Sequence, residues 1–467
     1  MRCHDLGLPT VLVEAHAPGG VGLRRGALSS KTWWHLANDY ARAGVRDRGF
    51  RATLERPCYR AFADEVEAAV SERQALLEHQ LRVLEGTGAG FRAVRGRGRL
   101  VGERRVLVEH VGSDGLPTGT REELEASAVV LATGSSPRRP RDYPIDGDRI
   151  VTSDDVDAWP DFPGRLLIVG AGVVGCEFAT VFARFGCTKV DLVDRQLRIL
   201  PFEDEDVSAH VARSFEQLGV TIHAGANIES LRREGDEVVA VLRVGDSTRT
   251  VRADRCLVAA GRVPNTGALG LEALGITPAP NGAMPAEGAL VKGTDWLYAV
   301  GDLTADIALA NVAELEGRRA AERIAGHPPT RVPYEAMSSI YFLHPEVVSV
   351  GLGESKARER DIPVRVAFLS NRLVNRNVAM RATGGFLKLI AAPDGRILGL
   401  RAIGPQASSA AQGIAMMIEK GGTLRDVADC IHPHPAVPEG IQECARLLLG
   451  ESILKPIAFG PELLAVR

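Results

Sequence analysis

Apolar and polar positions along this chain change period most clearly around residue 166. An unbroken apolar run, Leu166–Val169, leads into the glycine-rich stretch GAGVVG at 170–175, and a segment of helical period follows. A second apolar run, Val190–Val193, ends on Asp194. An apolar run, a glycine turn, a helix and a second apolar run in this order predict a βαβ unit.

The three glycines of this unit, Gly170, Gly172 and Gly175, suit a dinucleotide. They permit a tight turn, a close approach of backbone N–H groups to a pyrophosphate, and tight packing of helix on strand. Asp194 lies about 20 residues further on, where an acid accepts a hydrogen bond from a ribose hydroxyl. Such glycines also occur in turns of unrelated α/β proteins. Here strand, helix and acid are all in place, so the sequence predicts a dinucleotide site.

The remaining periodicity predicts elements on both sides of this unit. Strand-like runs near the C-terminus, EVVSVGL, VRVAFL, GFLKLIAA and ILGLRAIG, are followed by helices, which is typical of an α+β region. Further predicted elements are a strand over 8–14 that ends on Glu14, a helix from Ser29, a helix over 61–85, a buried strand over Ala128–Ala132, a helix from Val207 to Leu218, antiparallel strands over Ile228–Val251, and a short strand with Asp302 at its end.

Length and composition are those of a globular protein of about three domains. The 467 residues are 45% hydrophobic and 25% charged, with a formal net charge of -3, so neither a nucleic acid nor an anionic membrane is expected as partner. No apolar run reaches membrane-spanning length, and the N-terminus lacks the apolar core of a signal peptide. These features favour a cytoplasmic protein.

The seven cysteines show neither a CxxC pair nor the clustering of metal ligands. No metal site is therefore predicted. The residues around Cys176, Cys256 and Cys430 predict buried, reduced thiols, as in a reducing compartment.

Seven motifs occur along the chain in an order and spacing that one enzyme family shares. They are GGVGLRRGALSSK, VLATGSSPRRP, VGAGVVGCE, LVAAGRVPNT, LYAVGDLT, GFLKLI and IHPHPAVPE. Over nearly its whole length the chain resembles the two-dinucleotide flavoprotein disulfide reductases, especially dihydrolipoamide dehydrogenases and soluble pyridine nucleotide transhydrogenases.

The resemblance implies an α/β fold with two Rossmann-like domains, which bind FAD and NAD(P), and a C-terminal α+β dimerisation domain. The implied FAD-binding domain is built from residues 1–149 and 283–332, the NAD(P)-binding domain from 150–282, and the dimerisation domain from 333–467. FAD and a nicotinamide dinucleotide are the implied cofactors, and a homodimer is the implied assembly.

The matching motifs also imply roles for individual residues. Lys31 would approach the flavin N5 and pair with Glu177, because an ammonium there stabilises an anionic reduced flavin. The structural alternatives are a solvated lysine at a helix start for Lys31 and a helix cap for Asp302. The residues implied to bind cofactor are Glu14 at the FAD ribose, Thr133, Gly134 and Asp302 along the FAD, Gly261 of LVAAGRVPNT, and Gly170, Gly172, Gly175, Asp194 and Arg195 at the nicotinamide dinucleotide.

The chain departs from the family at the redox disulfide. The family carries two cysteines in GGTCLNVGCIPSK, and here Gly22 and Ala27 occupy both positions. Neither residue can form a thiolate or a mixed disulfide, which excludes thiol–disulfide chemistry by the family's route. Cys3 and Cys58 have no comparable setting. The sequence therefore argues against a dihydrolipoamide dehydrogenase.

A second departure concerns the start of the chain. The family opens with a strand and its own glycine motif, whereas Met1 here falls inside the helix that follows them. The first strand and pyrophosphate loop of the FAD domain are therefore expected to be missing from this sequence. One interpretation is a start assigned too far downstream, and the other is a protein that has lost tight FAD binding. The run Gly86–Gly90 cannot replace the motif, because no strand precedes it.

Two choices of chemistry stay open at the sequence level. His434 and Glu439 match the family's acid–base pair, which the other subunit supplies, and could either move protons near neutral pH or persist as a structural pair at the interface. His432 is interpreted as a bystander. Asp194 favours NAD(H), while Arg195 and Arg198 could relieve its repulsion of a 2′-phosphate, so NADP(H) stays possible.

Three hypotheses of function follow. The first is an FAD-dependent NAD(P)H oxidoreductase that passes hydride to flavin and then electrons directly to a small acceptor, such as a quinone-like molecule, oxygen or another pyridine nucleotide. The second is a redox-inactive homologue kept as a binding or scaffolding dimer. The third is a thiol reductase that uses Cys58 or a C-terminal cysteine.

Overall fold

The computed structural model describes residues 1–45, 49, 52–305 and 307–467, and the predicted α/β class is confirmed. The elements before residue 149 are α1 (Arg2–Asp5), β1 (Thr10–Glu14), α2 (Gly20–Arg24), α3 (Ala27–Ala43), α4 (Tyr59–Gly86), β2 (Phe91–Gly102), β3 (Arg105–Val111), β4 (Pro117–Glu125), β5 (Val129–Leu131) and β6 (Ser135–Pro137). Both long helices, α3 and α4, begin slightly earlier than the periodicity predicts.

The predicted βαβ unit lies in a parallel sheet of order β10-β9-β8-β14-β7. In β8, Leu166 and Ile168 pack toward the helices, and Leu167 packs toward an antiparallel sheet, β11-β12-β13, so the strand is apolar on both faces. The elements of this region are β7 (Ile150–Thr152), β8 (Arg165–Val169), α5 (Val173–Phe185), β9 (Lys189–Asp194), α6 (Glu205–Gln217), β10 (Thr221–Ala224), β11 (Ala226–Glu234), β12 (Glu237–Val244), β13 (Ser247–Ala253), β14 (Arg255–Val258) and β15 (Arg262–Pro264).

The C-terminal part is an antiparallel sheet of order β19-β20-β23-β22-β21-β24, against which α10 and α12 pack. This is the predicted α+β arrangement. The elements after residue 282 are β16 (Ala286–Glu287), β17 (Leu290–Val291), β18 (Leu297–Ala299), α7 (Ala310–Ile324), β19 (Ser338–Tyr341), β20 (Val347–Gly351), α8 (Glu354–Glu359), β21 (Arg365–Ser370), α9 (Asn375–Ala379), β22 (Phe386–Ala391), β23 (Ile397–Ile403), α10 (Ala411–Lys420), α11 (Leu424–Asp429), α12 (Pro438–Leu449) and β24 (Leu464–Val466).

A cluster of aromatic side chains holds α3, α4 and α5 together. The ring of Trp33 in α3 lies 4.9 Å from that of Tyr59 in α4 and 6.2 Å from that of Phe185 in α5. The indole N–H of Trp33 donates to Asp157, so its one polar atom is satisfied inside the cluster. Burial of these large rings fixes α3 against α5, and residues far apart in sequence meet between the two helices.

The sheet expected for the FAD-binding domain is split in two. In the described part of the chain β1 pairs with β2 alone and β5 pairs with β18 alone, both in parallel. Val11 and Leu12 of β1 and Val130 of β5 are about 40% exposed, which is unusual for interior strands of such a sheet. This exposure corrects the prediction of a buried strand over Ala128–Ala132, where the strand covers Val129–Leu131 and only Leu131 is buried.

Candidate functional site

The glycine turn between β8 and α5 has the shape of a phosphate cradle. A Cβ on Gly175 would lie 1.8 Å from the carbonyl oxygen of Gly170, and one on Gly170 would lie 2.4 Å from that of Ala259. Backbone atoms therefore restrict both positions to glycine. A Cβ on Gly172 would meet no atom within 4 Å. Gly172 is the N-cap residue of α5, and no side chain caps this helix. Open space in front of an uncapped helix N-terminus fits the pyrophosphate of a dinucleotide.

Asp194 lies at the edge of this turn. Its two carboxylate oxygens accept the backbone N–H groups of Ala171, at 2.6 Å, and Gln196, at 2.8 Å. Each oxygen keeps further acceptor capacity, so the held carboxylate can also receive a ribose hydroxyl. Arg198 donates to the carbonyl of Pro201 at 3.0 Å, whereas Arg195 is exposed beside Asp194. Arg195 is thus the better placed of the two arginines for a 2′-phosphate.

Lys31 and Glu177 form the predicted pair across the α3–α5 contact. The Lys31 Nζ lies 2.8 Å from Glu177 Oε2, and the other oxygen of Glu177 accepts the N–H of Phe342 at 3.1 Å. The Lys31 ammonium also lies 4.9 Å from the centroid of the Phe342 ring. Glu177 is buried and the Lys31 side chain is 27% exposed, so a buried acid holds the lysine in place. This arrangement excludes the solvated-lysine alternative.

Asp302 lies at the junction of three chain segments, in a 3-10 turn over Gly301–Thr304 rather than at the end of β18. Its Oδ2 accepts the hydroxyl of Ser135 at 2.6 Å. Arg262 donates to the same hydroxyl and to the backbone carbonyl of Ser135, at 2.7 Å each, and lies 3.9 Å from Asp302. The carboxylate is thus oriented by a hydroxyl and a guanidinium that the sequence reasoning did not single out.

Asn265, a residue of the LVAAGRVPNT motif for which the sequence predicts no role, holds Thr133 and Gly134 in place. The Thr133 hydroxyl donates to the Asn265 carbonyl at 3.0 Å, and the Asn265 amide donates to the Thr133 carbonyl at 2.9 Å. Gly134 and Gly261 both have positive φ, 65° and 96°. Gly134 lies just before β6 and Gly261 just before β15, and these two strands pair with each other. The N–H of Asn265 donates to the carbonyl of Gly134, and the N–H of Arg138 donates to the carbonyl of Gly261.

Glu14 ends β1, where its carboxylate accepts the N–H of His16 at 2.9 Å. Its role at an FAD ribose stays a prediction. The residues around Lys31 and Asp302 fit the flavin and ribityl end of FAD, since they offer a held ammonium and a held carboxylate beside open space. The described residues before β1 form the short helix α1 and a turn at Leu6 and Gly7.

The positions of the family's cysteines lie at the start of the helix that carries Lys31. Gly22 is in α2, and a Cβ there would meet nothing within 4 Å. Ala27 is the first residue of α3 and is exposed. The replacement of two cysteines thus leaves open space next to Lys31 without a sulfur atom.

The seven cysteines all fall in the described part of the chain and are free thiols. Burial raises the pKa of Cys176 and Cys256 far above neutrality, so both stay protonated. The prediction that Cys430 is buried is wrong, because α11 ends at Asp429 and Cys430 lies in the exposed loop that follows. The described residues hold no group of three or more His, Cys, Asp or Glu side chains arranged for a metal ion.

His434, on the exposed loop before α12, forms a close pair with Glu439 in the first turn of that helix. His434 Nδ1 lies 2.6 Å from Glu439 Oε1, and the other oxygen of Glu439 accepts the N–H of Ala436 at 2.6 Å. Burial opposes ionisation of Glu439, but its hydrogen bonds from His434 and Ala436 hold its pKa below the usual range. Glu439 contacts Nδ1 of the ring, and the His434 side chain is 66% exposed.

Two family models together cover most of the chain. The model described as pyridine nucleotide-disulphide oxidoreductase matches residues 3–317, and that described as its dimerisation domain matches residues 337–445. The chain therefore belongs to the pyridine nucleotide-disulphide oxidoreductase family, whose members use FAD and NAD(H) in oxidoreductase chemistry. No helix in the described ranges combines the length and the apolar character needed to span a membrane.

Similar proteins span nearly the same length as this chain. A dihydrolipoyl dehydrogenase of Pseudomonas aeruginosa is 31% identical over 460 residues, which are 97% of this chain and 95% of that protein. Dihydrolipoyl dehydrogenase 3 of Haloarcula marismortui is 30% identical over 96% of this chain and 92% of its own. LpdA from Mycobacterium tuberculosis superposes with a TM-score of 0.85 at 26% identity, over 96% of both chains. The HOCl-induced flavoprotein disulfide reductase RclA of Escherichia coli shares the fold, with a TM-score of 0.82 at 22% identity and 95% of both chains covered.

Proposed function

We propose that this chain is an FAD-dependent NAD(P)H oxidoreductase that passes electrons from flavin directly to a small acceptor, without a redox disulfide. The observation that carries the proposal is the combination of an intact Lys31–Glu177 pair, 2.8 Å apart, with glycine and alanine at the positions of the two cysteines. A chain that had lost redox function altogether would not need a lysine held in place by a buried acid. The residues proposed to bring electrons to the flavin are present, and the two cysteines that would receive electrons from it are not.

When bound, FAD supplies a ring that accepts a hydride from reduced nicotinamide and then yields electrons to an acceptor. Lys31 contributes a positive charge at that ring, and Glu177 fixes the ammonium there against solvent. Asp302, oriented by Ser135, binds the ribityl hydroxyls. Gly170, Gly172 and Gly175 receive the dinucleotide pyrophosphate.

NAD(H) is the proposed dinucleotide. The Asp194 carboxylate is fixed at the edge of the glycine turn by two backbone N–H groups, and a fixed negative charge repels a 2′-phosphate. Arg195 is the residue through which NADP(H) would bind, because Arg198 is bonded within its own loop.

The acceptor is proposed to be a quinone-like molecule, oxygen or a second pyridine nucleotide, reached through the space beside Gly22 and Ala27. His434, oriented by Glu439, would deliver the proton from the partner of a homodimer. The match of residues 337–445 to a dimerisation domain supports this assembly, and so does the exposure of Ile431 and Ile457, each above 95%.

The test is an anaerobic titration of FAD-reconstituted protein with NADH, followed by a count of titratable thiols. We expect the flavin to bleach while the thiol count stays unchanged, because no cysteine lies in the electron path. The Gly22→Cys/Ala27→Cys double variant is the matched control, in which thiols should appear on reduction. New thiols in the unmodified protein would favour the reading that uses Cys58 or a C-terminal cysteine, and a flavin that stays oxidised would refute the proposal.

The second candidate function is a redox-inactive binding or scaffolding dimer. The exposed apolar residues on β1 and β5 favour it, because uncovered apolar side chains are suited to contact with a partner. Protein that remains colourless after incubation with excess FAD would support this candidate. Binding of one FAD per chain would refute this candidate.

A further inference from the structure

A buried cluster of charges joins the dinucleotide-binding part to the C-terminal sheet. Lys388 of β22 is fully buried, and its Nζ lies 2.8 Å from Asp204 and 2.6 Å from Asp206. Arg401 of the neighbouring strand β23 lies 2.8 Å from Glu203. The anchor cluster, as we call it, consists of Glu203, Asp204, Asp206, Glu354, Lys388 and Arg401.

The two acids at the centre of the anchor cluster are bonded at every oxygen. Glu203 accepts the hydroxyls of Tyr341 and Ser349, at 2.6 Å each, in addition to Arg401. Asp204 accepts the backbone N–H groups of residues 354 and 355, at 3.1 and 2.9 Å, in addition to Lys388. Such complete bonding fixes the direction of both carboxylates as well as their position.

Glu203 and Asp204 lie at the end of segment 195–204, which begins directly after Asp194. After Asp194 the chain folds back, and the N–H of Leu200 donates to the carbonyl of Ala171 at 2.8 Å. Ala171 is the residue between Gly170 and Gly172, and its own N–H is bonded to Asp194. Segment 195–204 therefore contacts the glycine turn through Leu200 and the C-terminal sheet through Glu203 and Asp204.

Burying several charges is a poor way to gain stability, since apolar residues of similar volume commonly do as well or better. What hydrogen-bonded charges provide is one defined arrangement, because any shift of the segment leaves a buried charge unpaired.

We infer that Glu203, Asp204, Lys388 and Arg401 are positioning residues for dinucleotide binding, through which the C-terminal sheet holds segment 195–204 against the glycine turn. The inference rests on the proposed binding of NAD(H) at this turn and extends it to residues on another sheet that touch no ligand. It makes the affinity for the dinucleotide depend on the C-terminal sheet.

The experiment measures NADH binding by fluorescence titration of the purified protein, beside thermal unfolding and flavin content. In Lys388→Met we expect the Kd for NADH to rise roughly 5- to 150-fold, the usual range for coupling between distant sites. Glu203→Gln, which is nearly isosteric and keeps acceptors for Tyr341 and Ser349, should change Kd in the same direction and serves if the first variant does not fold.

A matched control and a double variant separate positioning from general stability. Arg255→Met removes another nearly buried cation of the dinucleotide-binding sheet, bonded to Asp148 and remote from segment 195–204, and should leave Kd unchanged. The double variant Lys388→Met/Asp204→Asn removes both charges of this pair. Its thermal stability should recover relative to Lys388→Met, while its Kd for NADH stays high. Recovery of both together, or an unchanged Kd in the folded Lys388 or Glu203 variants, would overturn the inference. Failure of the unmodified protein to bind either NADH or NADPH would instead refute the proposed function.

Discussion

Replacement of Gly172 by alanine tests whether the glycine turn serves a ligand or only the fold. The backbone of Gly172 has φ −76° and ψ −170°, which any residue adopts, and the added methyl meets no protein atom within 4 Å. Alanine in place of glycine at a helix N-cap costs about 0.5 kcal/mol of stability. The variant should therefore fold almost normally.

The effect on binding should be much larger, because the methyl would occupy the space through which a pyrophosphate reaches the N–H groups of α5. Loss of one hydrogen bond to a charged group costs about 1.5–3 kcal/mol, which corresponds to a Kd for NADH about 10- to 150-fold higher. Fluorescence titration with NADH gives the Kd, and thermal unfolding gives the stability.

Two further variants frame this measurement. Gly413→Ala, in the first turn of α10 with nothing within 4 Å of the new methyl, should stabilise the protein slightly and leave Kd unchanged. Gly175→Ala places its Cβ 1.8 Å from a backbone oxygen and should reduce stability and binding together. A Kd for Gly172→Ala within twofold of the unmodified protein would show that the turn does not hold the pyrophosphate.

Three further variants test the remaining roles. Lys31→Met should make the flavin midpoint potential about 30–60 mV more negative, because the charge held by Glu177 no longer stabilises the reduced ring, and an unchanged potential in a reductive titration would contradict this. His434→Gln should slow turnover with a quinone-like acceptor about a hundredfold and leave the single-turnover reduction by NADH unchanged, whereas no effect on either would mark the pair with Glu439 as structural. Burial raises the pKa of Asp204, but Lys388 and the hydrogen bonds outweigh it and lower that pKa from 3.8 to about 2. This carboxylate should therefore contribute about 2 kcal/mol to stability above pH 4, and the contribution should disappear as the pH falls to 2. Asp204→Asn should lose this contribution in urea unfolding at pH 7, and its free energy of unfolding should depend less on pH between 4 and 2.

The βαβ unit was predictable in detail because its determinants are local. Gly175 is required by the carbonyl of Gly170 in the same turn, whereas the carbonyl that restricts Gly170 belongs to Ala259, which only the folded sheet brings close. The apolar run of β8 follows from burial on both faces of a parallel sheet. Pattern and spacing therefore specify the turn, the helix and Asp194 before any packing is known.

Residues held by long-range packing were predictable only where a family motif named them. Lys31 and Glu177 lie 146 positions apart, and the motifs suggested their pairing, but only the aromatic contact between α3 and α5 brings the two side chains within 2.8 Å. Exposure of Cys430 was missed because the local sequence does not show which side of a loop faces solvent.

Sequence alone predicted a dinucleotide site and the glycines of its turn, and it showed that no sulfur stands where the family keeps its disulfide. Only the tertiary structure decided that Glu203 and Asp204 meet Arg401 and Lys388, nearly 200 residues away, in a buried cluster. The physical reason is that a turn is fixed by steric contacts within a few residues. A buried ion pair exists only after separate sheets have packed and excluded water from both charges.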